Sequence, residues 1–540
     1  MQPKHAPRSL LALLAAIVLA LPLSVGAASA APSPGQLDNE VARRLQITPE
    51  SGLIPVIVEG AAGGTLASDG PSRARRAENR VRSGGGRVVS SSSLLGASIA
   101  ELTPAQIRAL ANDASIGRIH FDAGVTASAV GAADGAGTGA TSIVFQQTVG
   151  APEVWQSGDT GQGVTVAVLD TGIDASNTAF GARVKARVDL VDPSHPAQGD
   201  PAGHGTHVAG IVAASRSFPS PGIAPDASLV SVRVLDQNGS SRVSTVVHGL
   251  EWVIAHKQAL GIRVVVMALG APATGSYRDD PLAAASEMAW RSGIVVVVAA
   301  GNGGPTSSSI TTPGIDPLVL TVGATDEAGT AVVTDDLIPA WSSQGPTLDG
   351  LAKPDVVAPG RKIVSVRVAG STIDRELPTH IESPSLTRLS GTSEATAVAA
   401  GAAALMLERS GHLDPDQVKA MLMRSTARLA GAGASAQGSG EINVARALRT
   451  PAADHVRQTA RPSDAFLQML AAMGRGVLSS ALHLNGSQVN WDQVNWDQVN
   501  WDQVNWDHVN WDQVNWDQVN WDQVNWDQVN WDQVNWDQVN

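Results

Sequence analysis

Cysteine is absent from this chain of 540 residues. No disulfide can therefore brace the fold, and its stability must come from packing, with or without bound ions. Charged residues are also sparse, at 16% of the chain. The formal net charge of −13 falls to −3 when the ten aspartates of a C-terminal repeat are set aside. A body this close to neutral carries no electrostatic footprint for nucleic acid.

Long apolar runs are missing after the N-terminus. There, Lys4 and Arg8 precede an apolar run from Leu10 to Leu21, and Ala28-Ser29-Ala30 offers a small-residue cleavage site. This order is typical of a secretory signal peptide. A membrane anchor, the alternative, needs about 20 apolar residues, and this run is shorter. We therefore predict a cleaved signal peptide over residues 1–30, and no other segment is apolar enough to cross a bilayer.

Residues 31–125 have the pattern of a small α+β domain. "LIPVIVEG" predicts a strand, and "PSRARRAENRVRSGG" predicts a basic helix that ends in glycine. "TPAQIRAL" begins with a Thr-Pro helix start and continues with apolar residues at helical spacing. The following stretch, residues 129–142, is rich in Gly, Ala, Ser and Thr, which favours a flexible linker. We assign residues 126–149 to a linker and maturation region, and expect the segment after about residue 125 to thread the active site until it is cut.

From residue 150 to residue 449 the pattern changes to short β-branched runs that alternate with helical stretches. The runs that are apolar on both faces cover residues 164–170, 228–236, 263–270, 293–302 and 318–326. They predict an α/β fold, a doubly wound parallel sheet with helices on both faces. Ligands bind at the carboxyl ends of the strands in such sheets. Asp170 and Asn302, which close two of these runs, are therefore candidate site residues.

The stretch "RLSGTSEATA" raises the question of what Ser393 does. A serine before an alanine-rich run can simply start a helix, because its hydroxyl accepts a free backbone N–H. Asp170 and Asn302 can likewise be turn residues, and His204 in "GHGTHVAG" can be structural. Together, however, the residues give the chain order Asp, His, Asn, Ser. An acid, a base, an amide donor and a hydroxyl are the parts that nucleophilic acyl transfer needs.

Four blocks, "VAVLDTGID", "HGTHVAG", "AAGN" and "SGTSEATA", resemble the signature motifs of the subtilisin-like serine peptidases. The resemblance covers roughly residues 150–449, and residues 31–125 are similar to the inhibitory prosegment of that family. It implies a secreted serine endopeptidase that removes its own prosegment. Its partners would be polypeptide substrates and the prosegment itself, and its chemistry would need no cofactor.

The resemblance also implies a role for each candidate residue. Ser393 would be the nucleophile, and His204 would take its proton while Asp170 orients the imidazole. Asn302 and the backbone N–H of Ser393 would form the oxyanion hole. A substrate would lie as an extended strand along a cleft lined by Ala268, Leu269, Gly270, Ala300 and Gly301.

This sequence departs from the family pattern at several positions. Glu394 follows Ser393 where relatives usually have Met, and an anion there would alter His204. Thr311 stands where relatives often have Gly, which predicts a narrower primary pocket. Residues 215–225 contain no Asn or Asp that resembles the calcium loop of the family, so we assign no metal site and leave structural calcium open. His207 is interpreted as structural.

The C-terminal part separates into a predicted helical spacer, residues 450–487, and a repeat tail, residues 488–540. The tail holds ten "WDQVN" pentads, one with His508 in place of Gln, and ten of the fourteen tryptophans. Its period of five residues fits a four-sided β-solenoid like that of the pentapeptide-repeat proteins, or else the tail is a disordered segment of low complexity. Either form suggests binding to glycan, to a cell surface or to itself.

Two rival functions remain open at this point. One is a secreted binding protein that keeps the peptidase scaffold without activity, against which the intact triad argues. In the other, the tail is the functional part and the enzyme only processes itself.

Overall fold

The computed structural model describes residues 36–61, 70–130, 143–197, 199–451 and 462–464. The predicted signal peptide, residues 131–142 of the linker, most of the spacer and the whole repeat tail lie outside the described residues. Within the described ranges, no helix combines the length and the apolar character that a membrane span requires.

The N-terminal domain is a five-stranded sheet with three helices on one face. Its elements are β1 (Gln36–Leu37), α1 (Asn39–Ile47), β2 (Ile54–Gly60), α2 (Gly70–Ser83), β3 (Arg87–Ser92), β4 (Ala97–Leu102), α3 (Pro104–Ala111) and β5 (Ile116–Phe121). The strand order is β1-β5-β2-β4-β3. A capping box starts α3, where Thr103 and Gln106 each bond the backbone N–H of the other. Val41, Val81 and Ile107 bring the three helices into one small core with the sheet.

The rest of the described chain forms a second, larger α/β part. The two short strands β6 and β7 come first in it. Its first half contains β6 (Gly124–Ala127), β7 (Ala129–Val130), α4 (Phe145–Thr148), α5 (Ala151–Gln156), β8 (Thr165–Asp170), β9 (Val184–Asp189), α6 (His204–Ala213), β10 (Ser228–Arg233), β11 (Ser240–Arg242), α7 (Val243–Leu260), β12 (Ile262–Met267) and β13 (Leu269–Gly270). Its second half contains α8 (Pro281–Arg291), β14 (Val295–Ala299), β15 (Leu320–Thr325), β16 (Val356–Pro359), β17 (Ile363–Val366), α9 (Thr372–Glu376), β18 (Ile381–Ser383), β19 (Leu386–Gly391), α10 (Thr392–Arg409), α11 (Pro415–Arg424), α12 (Ala434–Gln437) and α13 (Val444–Arg449).

A seven-stranded parallel sheet in the order β16-β15-β14-β12-β8-β10-β9 is the centre of this part. Helices α6 and α10 pack on each other and on one face, and α7 and α8 pack on each other and on the other face. Every residue of β8 and β14 is buried, as expected for strands covered on both sides. The predicted fold class, a parallel α/β sheet with helices on both faces, is therefore confirmed.

The free face of the N-terminal sheet packs against α7. Ile57, Leu95 and Ile99 belong to the same apolar core as the large sheet. Polar contacts surround this patch. The Glu251 carboxylate on α7 accepts hydrogen bonds from the backbone N–H groups of Ser93 and Leu94, at 2.9 and 3.1 Å. A side chain of α7 thus binds the backbone of the β3–β4 turn.

Asp122, which directly follows β5, binds the first turn of α7. Its carboxylate accepts hydrogen bonds from the backbone N–H and the hydroxyl of Ser244, at 2.9 and 2.8 Å. Burial raises the pKa of Asp122, although these hydrogen bonds oppose the shift. Asp122 therefore fixes the chain to the first turn of α7 at the point where it leaves the N-terminal domain, two residues before β6 begins.

A short segment near the C-terminus, residues 462–464, is anchored on α8. Ser463 is fully buried, and its backbone N–H and hydroxyl both donate to the Glu287 carboxyl, with distances of 2.6 to 2.9 Å. Burial and the neighbouring carboxyl of Asp316 raise the pKa of Glu287. The Glu287 carboxyl therefore fixes residue 463, which follows the peptidase-like region in sequence, to helix α8.

Candidate active site

Four predicted site residues converge at one edge of the parallel sheet. Asp170 ends the central strand β8, and Asn302 lies three residues after the end of β14. His204 is the first residue of α6, and Ser393 is the second residue of α10. Residues separated by 34 to 223 positions in sequence meet here because parallel strands point their carboxyl ends to the same edge.

His204 and Asp170 form a buried pair. The Nδ1 atom of His204 lies 2.7 Å from Oδ1 of Asp170, and the two side chains are 2% and 0% exposed. Because Nδ1 donates this bond, Nε2 is left to face the cleft as the acceptor in the neutral ring. The local backbone requires glycine on both sides of His204. Gly203 has a φ of +92°, and a Cβ on Gly205 would lie 2.2 Å from the carbonyl oxygen of Gly172.

Asp200 holds the loop and helix that carry this pair. Its carboxylate accepts hydrogen bonds from the backbone N–H groups of Gly203 and Thr206, at 2.9 and 2.8 Å. It also accepts from the hydroxyls of Thr171 and Thr206, both at 2.8 Å. Asp200 was not among the predicted site residues. The available signal was an Asp four residues before His204, in the position to bind the first free N–H groups of a helix.

Asn302 is oriented by the residue that precedes Ser393. Its Oδ1 accepts hydrogen bonds from the backbone N–H and the hydroxyl of Thr392, both at 3.0 Å. This fixes the amide so that Nδ2, a donor, points into the cleft. Thr392 also accepts a hydrogen bond from the backbone N–H of Gly301 at 3.2 Å. Thr392 therefore joins the amide donor to the first turn of α10.

Ser393 donates its hydroxyl to the carbonyl oxygen of Ala268 at 2.9 Å. In the same arrangement Nε2 of His204 is buried and has no hydrogen-bond partner among the residues that the structure describes. The contact between hydroxyl and base is thus not formed in this conformation, and a rotation about the Cα–Cβ bond of Ser393 is the motion that would form it. Such contacts are often long or misaligned until a reaction complex forms.

The cleft is filled by a segment of the chain itself, residues 124–130. Strand β6 lies between β11 and β13 and pairs antiparallel with both. The pairing continues at Ser128, whose N–H donates to the Ala268 carbonyl at 3.0 Å. Beyond it, β7 pairs antiparallel with the end of β19. The segment therefore runs through the whole cleft as an extended strand, the usual way in which a peptide adds to an exposed sheet edge.

The carbonyl of Ser128 occupies the amide-donor site. Its oxygen accepts hydrogen bonds from Nδ2 of Asn302 at 2.6 Å and from the backbone N–H of Ser393 at 3.3 Å. Both donors lie at the N-terminus of α10 or beside it, where the helix dipole favours negative charge. The carbonyl of the Ser128–Ala129 peptide bond is thereby bound by the two groups that the sequence predicts as oxyanion donors. From the sequence, the segment after residue 125 was predicted to thread the active site within a linker and maturation region, but neither the exact bond nor the pairing partners could be predicted.

The predicted cleft residues fall into two groups. Ala268, Leu269 and Gly270 contact residues 126–128 directly through β-pairing and the hydrogen bond to Ser128. Ala300 and Gly301 directly follow β14, and the N–H of Thr311 donates to the Ala300 carbonyl at 3.0 Å. The side chain of Thr311 lies close to both Gly270 and Gly301. A Cβ on Gly270 would be 2.4 Å from Thr311 Oγ1, and a Cβ on Gly301 would be 2.8 Å from Thr311 Cγ2.

His204 lies in a net negative environment. Burial favours its neutral form, but the charge and hydrogen bond of Asp170, with the charges of Glu394 and Asp200, outweigh burial and raise the pKa of His204 to about 9. Glu394 is fully buried. Its side chain therefore lies inside the protein, as the expected effect of Glu394 on His204 requires.

No cluster of three or more His, Cys, Asp or Glu side chains with the geometry to hold a metal ion occurs among the residues that the structure describes.

Comparison with known proteins gives a consistent match. The sequence profile of the subtilase family matches residues 161–442. The serine protease AprX of Bacillus subtilis is 40% identical over 304 residues, which are 54% of this chain and 68% of the relative. The alkaline protease of Alkalihalobacillus alcalophilus is 34% identical over 351 residues, 65% of this chain and 78% of the relative. Subtilisin E of Bacillus subtilis is 36% identical over 302 residues, 55% of this chain and 69% of the relative.

Proposed function

The chain belongs to the subtilase family and is a serine endopeptidase, and from that premise we propose that it is exported and matures by cutting its own chain between Ser128 and Ala129. The single observation that carries the proposal is the Ser128 carbonyl, bound by Asn302 and Ser393. The N-terminal domain then acts as an inhibitory prosegment, and residues 124–128 are its substrate-like end.

We propose that Asp170, His204 and Ser393 form the catalytic triad. The Ser393 hydroxyl attacks the carbonyl carbon, and its proton passes to Nε2 of His204. The bond from Nδ1 to Asp170 holds the imidazole in the tautomer that leaves Nε2 free and stabilises the imidazolium that forms. This step needs a neutral His204 at the start. No group outside the protein takes part in it.

The negative charge that develops on the carbonyl oxygen is stabilised by Asn302 and by the backbone N–H of Ser393. Removal of one such amide donor from subtilisin costs about 10²- to 10³-fold in kcat. The tetrahedral intermediate collapses when His204 gives its proton to the leaving amine, and an acyl-enzyme on Ser393 remains. Water, activated by His204, then hydrolyses the acyl-enzyme.

The geometry around Ser128 also supports a preference for small residues on the acyl side of the cut bond. The side chain of Thr311 lies close to both Gly270 and Gly301, and hydrogen bonds from its N–H and hydroxyl to the Ala300 carbonyl, at 3.0 and 3.3 Å, fix its position. Ser128, whose side chain is small, is 8% exposed there. Three residues earlier, Val125 is fully buried, which supports an apolar preference at that position as well.

Two further parts of the proposal rest on sequence alone. The basic and apolar N-terminal segment supports secretion. The regular tryptophans of residues 488–540 support association with a glycan, a cell surface or another copy of the tail, apart from catalysis.

Substitution of Ser393 by Ala is expected to remove proteolysis of casein. Loss of the corresponding serine in subtilisin lowers kcat by about 10⁶-fold. Ser286→Ala is the matched control, because it removes another fully buried serine hydroxyl, on α8 away from the cleft. Both variants should keep the fold by circular dichroism. Undiminished proteolysis by purified Ser393→Ala would refute the assignment of the nucleophile.

Maturation is expected to leave Ala129 as the new N-terminus. Mass spectrometry of the purified wild-type protein should give this terminus, and Ser393→Ala should keep residue 128 joined to residue 129. The same cut in both proteins would show that another peptidase makes it. A wild-type terminus at a different residue would show that the strand register in the cleft is not the register of cleavage.

Specificity is expected to follow Thr311. Tetrapeptide p-nitroanilides of the form Val-Thr-Ala-Xaa copy residues 125–128, and kcat/KM should be about ten-fold or more higher for Xaa Ser or Ala than for Phe. Thr311→Gly should raise the Phe to Ser ratio, whereas Thr311→Ser should change it less. In the full chain, Ser128→Phe should slow maturation and Thr311→Gly should restore it. An unchanged ratio in Thr311→Gly would disprove the role of this side chain.

Deletion of residues 488–540 is expected to preserve kcat/KM on a small peptide and to reduce retention on cells or self-association, measured by co-sedimentation and light scattering. The full-length Ser393→Ala protein is the control for retention without activity. If the deletion lowers turnover and leaves retention unchanged, the tail belongs to the enzyme function instead.

A further inference from the structure

One fully buried serine, Ser343, binds the backbone on both sides of Asn302. Its N–H donates to the carbonyl oxygen of Gly301 at 3.0 Å. Its hydroxyl oxygen accepts a hydrogen bond from the N–H of Gly303, also at 3.0 Å. The first bond holds the peptide group that precedes Asn302, and the second holds the peptide group that follows it. Because peptide groups are planar, the two bonds together restrict the direction in which the Asn302 side chain leaves the backbone.

The backbone around Asn302 needs support from elsewhere in the fold. Strand β14 ends at Ala299, so Asn302 lies beyond the hydrogen-bonded ladder of the sheet. Gly301 has a φ of +105°, and a Cβ on it would lie 3.0 Å from the Ser343 hydroxyl oxygen. Glycine thus permits both the turn and the close approach of Ser343. Since both sequence neighbours of Asn302 are glycines, no adjacent side chain can hold this turn by packing.

The segment that contains this serine is bonded to the loop of the amide donor at further points. On one side, the N–H of Gly304 donates to the carbonyl oxygen of Trp341 at 2.9 Å. On the other side, the N–H of Ser309 donates to the Gln344 carbonyl at 3.1 Å, and the N–H of Gln344 donates to the Ser309 hydroxyl at 2.9 Å. The two bonds of the serine are therefore part of a series that joins the two segments, and they are the ones that flank the amide donor.

The side chain of Asn302 is held separately from its backbone. Its Oδ1 is bound by the N–H and the hydroxyl of Thr392, and its Nδ2 lies 2.6 Å from the Ser128 carbonyl oxygen. Thr392 fixes one end of the side chain, and Ser343 fixes the backbone from which the side chain starts. An amide that is held at one end only can still pivot, and a hydrogen bond weakens steeply as its angle departs from linear. Both constraints together keep Nδ2 aimed at the carbonyl oxygen.

We propose that Ser343 is a positioning residue of the peptidase reaction, which holds the backbone of Asn302 so that Nδ2 lies where negative charge develops. The inference rests on the proposed role of Asn302 as an oxyanion donor. Ser343 acts through Asn302, whose amide is the group that binds the reacting carbonyl. A donor that is fixed in advance needs no reorganisation during the reaction, so the accuracy of its placement appears in the rate of the chemical step.

Ser343→Ala is expected to lower kcat on Val-Thr-Ala-Ser p-nitroanilide by about three- to ten-fold. The variant removes the hydroxyl partner of the Gly303 N–H, and this peptide group can then turn toward solvent. The loss should be smaller than the roughly 10²- to 10³-fold cost of a missing donor, because the amide remains but is less well aimed. KM should change by less than about two-fold, because the strand pairing that binds substrate is kept and the charge forms only in the transition state.

The decisive comparison is made in the Asn302→Ala background. That variant has no amide left to position, so adding Ser343→Ala should lower kcat no further. A serine that only stabilised the fold would lower kcat by the same factor in both backgrounds. Equal factors in the two backgrounds, or a wild-type kcat in the single Ser343→Ala variant, would overturn the inference.

Ser342→Ala is the matched control. Ser342 is also fully buried, and its hydroxyl also accepts one backbone N–H at 3.0 Å, from Ala324 on β15. The substitution therefore removes the same kind of bond from the neighbouring residue, but not a bond that flanks Asn302. Its kcat should stay at the wild-type value. An equal loss of kcat in Ser342→Ala would show that packing of the segment matters and that positioning of the amide does not.

All rates are measured on mature protein, with active sites counted by reaction with a fluorophosphonate probe. Variants that mature slowly are cut with wild-type enzyme on beads, which is then removed. If Ser343→Ala does not fold, Ser343→Cys decides in its place. Sulfur is only a weak acceptor, so this variant should lower kcat in the same direction by a smaller factor, and again only when Asn302 is present.

The Asn302→Ala variant alone separates this inference from the proposed function. If it keeps the wild-type kcat, Asn302 is not an oxyanion donor, and the proposed function and the inference about Ser343 are both wrong on this point. If Asn302→Ala lowers kcat while Ser343→Ala does not, the proposed function stands and only the inference about Ser343 is refuted.

Discussion

The hydrogen bond between His204 and Asp170 is the contact on which the site depends. It is buried, it is short at 2.7 Å, and it joins the end of the central strand to the start of α6. Asp200 and Thr171 hold the two sides of this junction, so the imidazole is fixed by the sheet and by the helix together. Ser393 and Asn302, the proposed nucleophile and amide donor, are joined by one further junction, the bonds of Thr392 to Asn302.

Much of this could be predicted from the chain. The runs that became β8, β12 and β14 are apolar on both faces and alternate with helical stretches, which is the pattern of a parallel sheet covered on both sides. Asp170 and Asn302 were predicted as site residues because they close two of the predicted runs. The edge strand β9 was missed because its residues alternate between partly buried and exposed, and such a pattern also fits a surface loop. Edge strands such as β9 lack the continuous apolar sequence that burial on both faces produces in central strands.

The remaining features depend on contacts between distant segments. The register of residues 124–128 against β11 and β13 is set by the depth at which the N-terminal domain sits on α7, through Glu251 and Asp122. Likewise, the meeting of Glu394 with His207 follows from how α6 and α10 pack. In the local sequence, residues 124–128 adjoin a predicted linker, and Glu394 is a departure from a family motif. The strands that pair with residues 124–128, and the His207 that meets Glu394, are far away in the sequence and are therefore not visible locally.

The anchoring of Ser463 on Glu287 has a consequence for the geometry of the whole chain. The first residue of the repeat tail, Gln488, lies 25 positions after Ser463. A fully extended chain of that length spans about 90 Å. If the tail holds a ligand at its first residue, as proposed, chain length alone keeps that ligand within about this distance of Ser463, and the cleft would meet a substrate on the same surface at a raised local concentration.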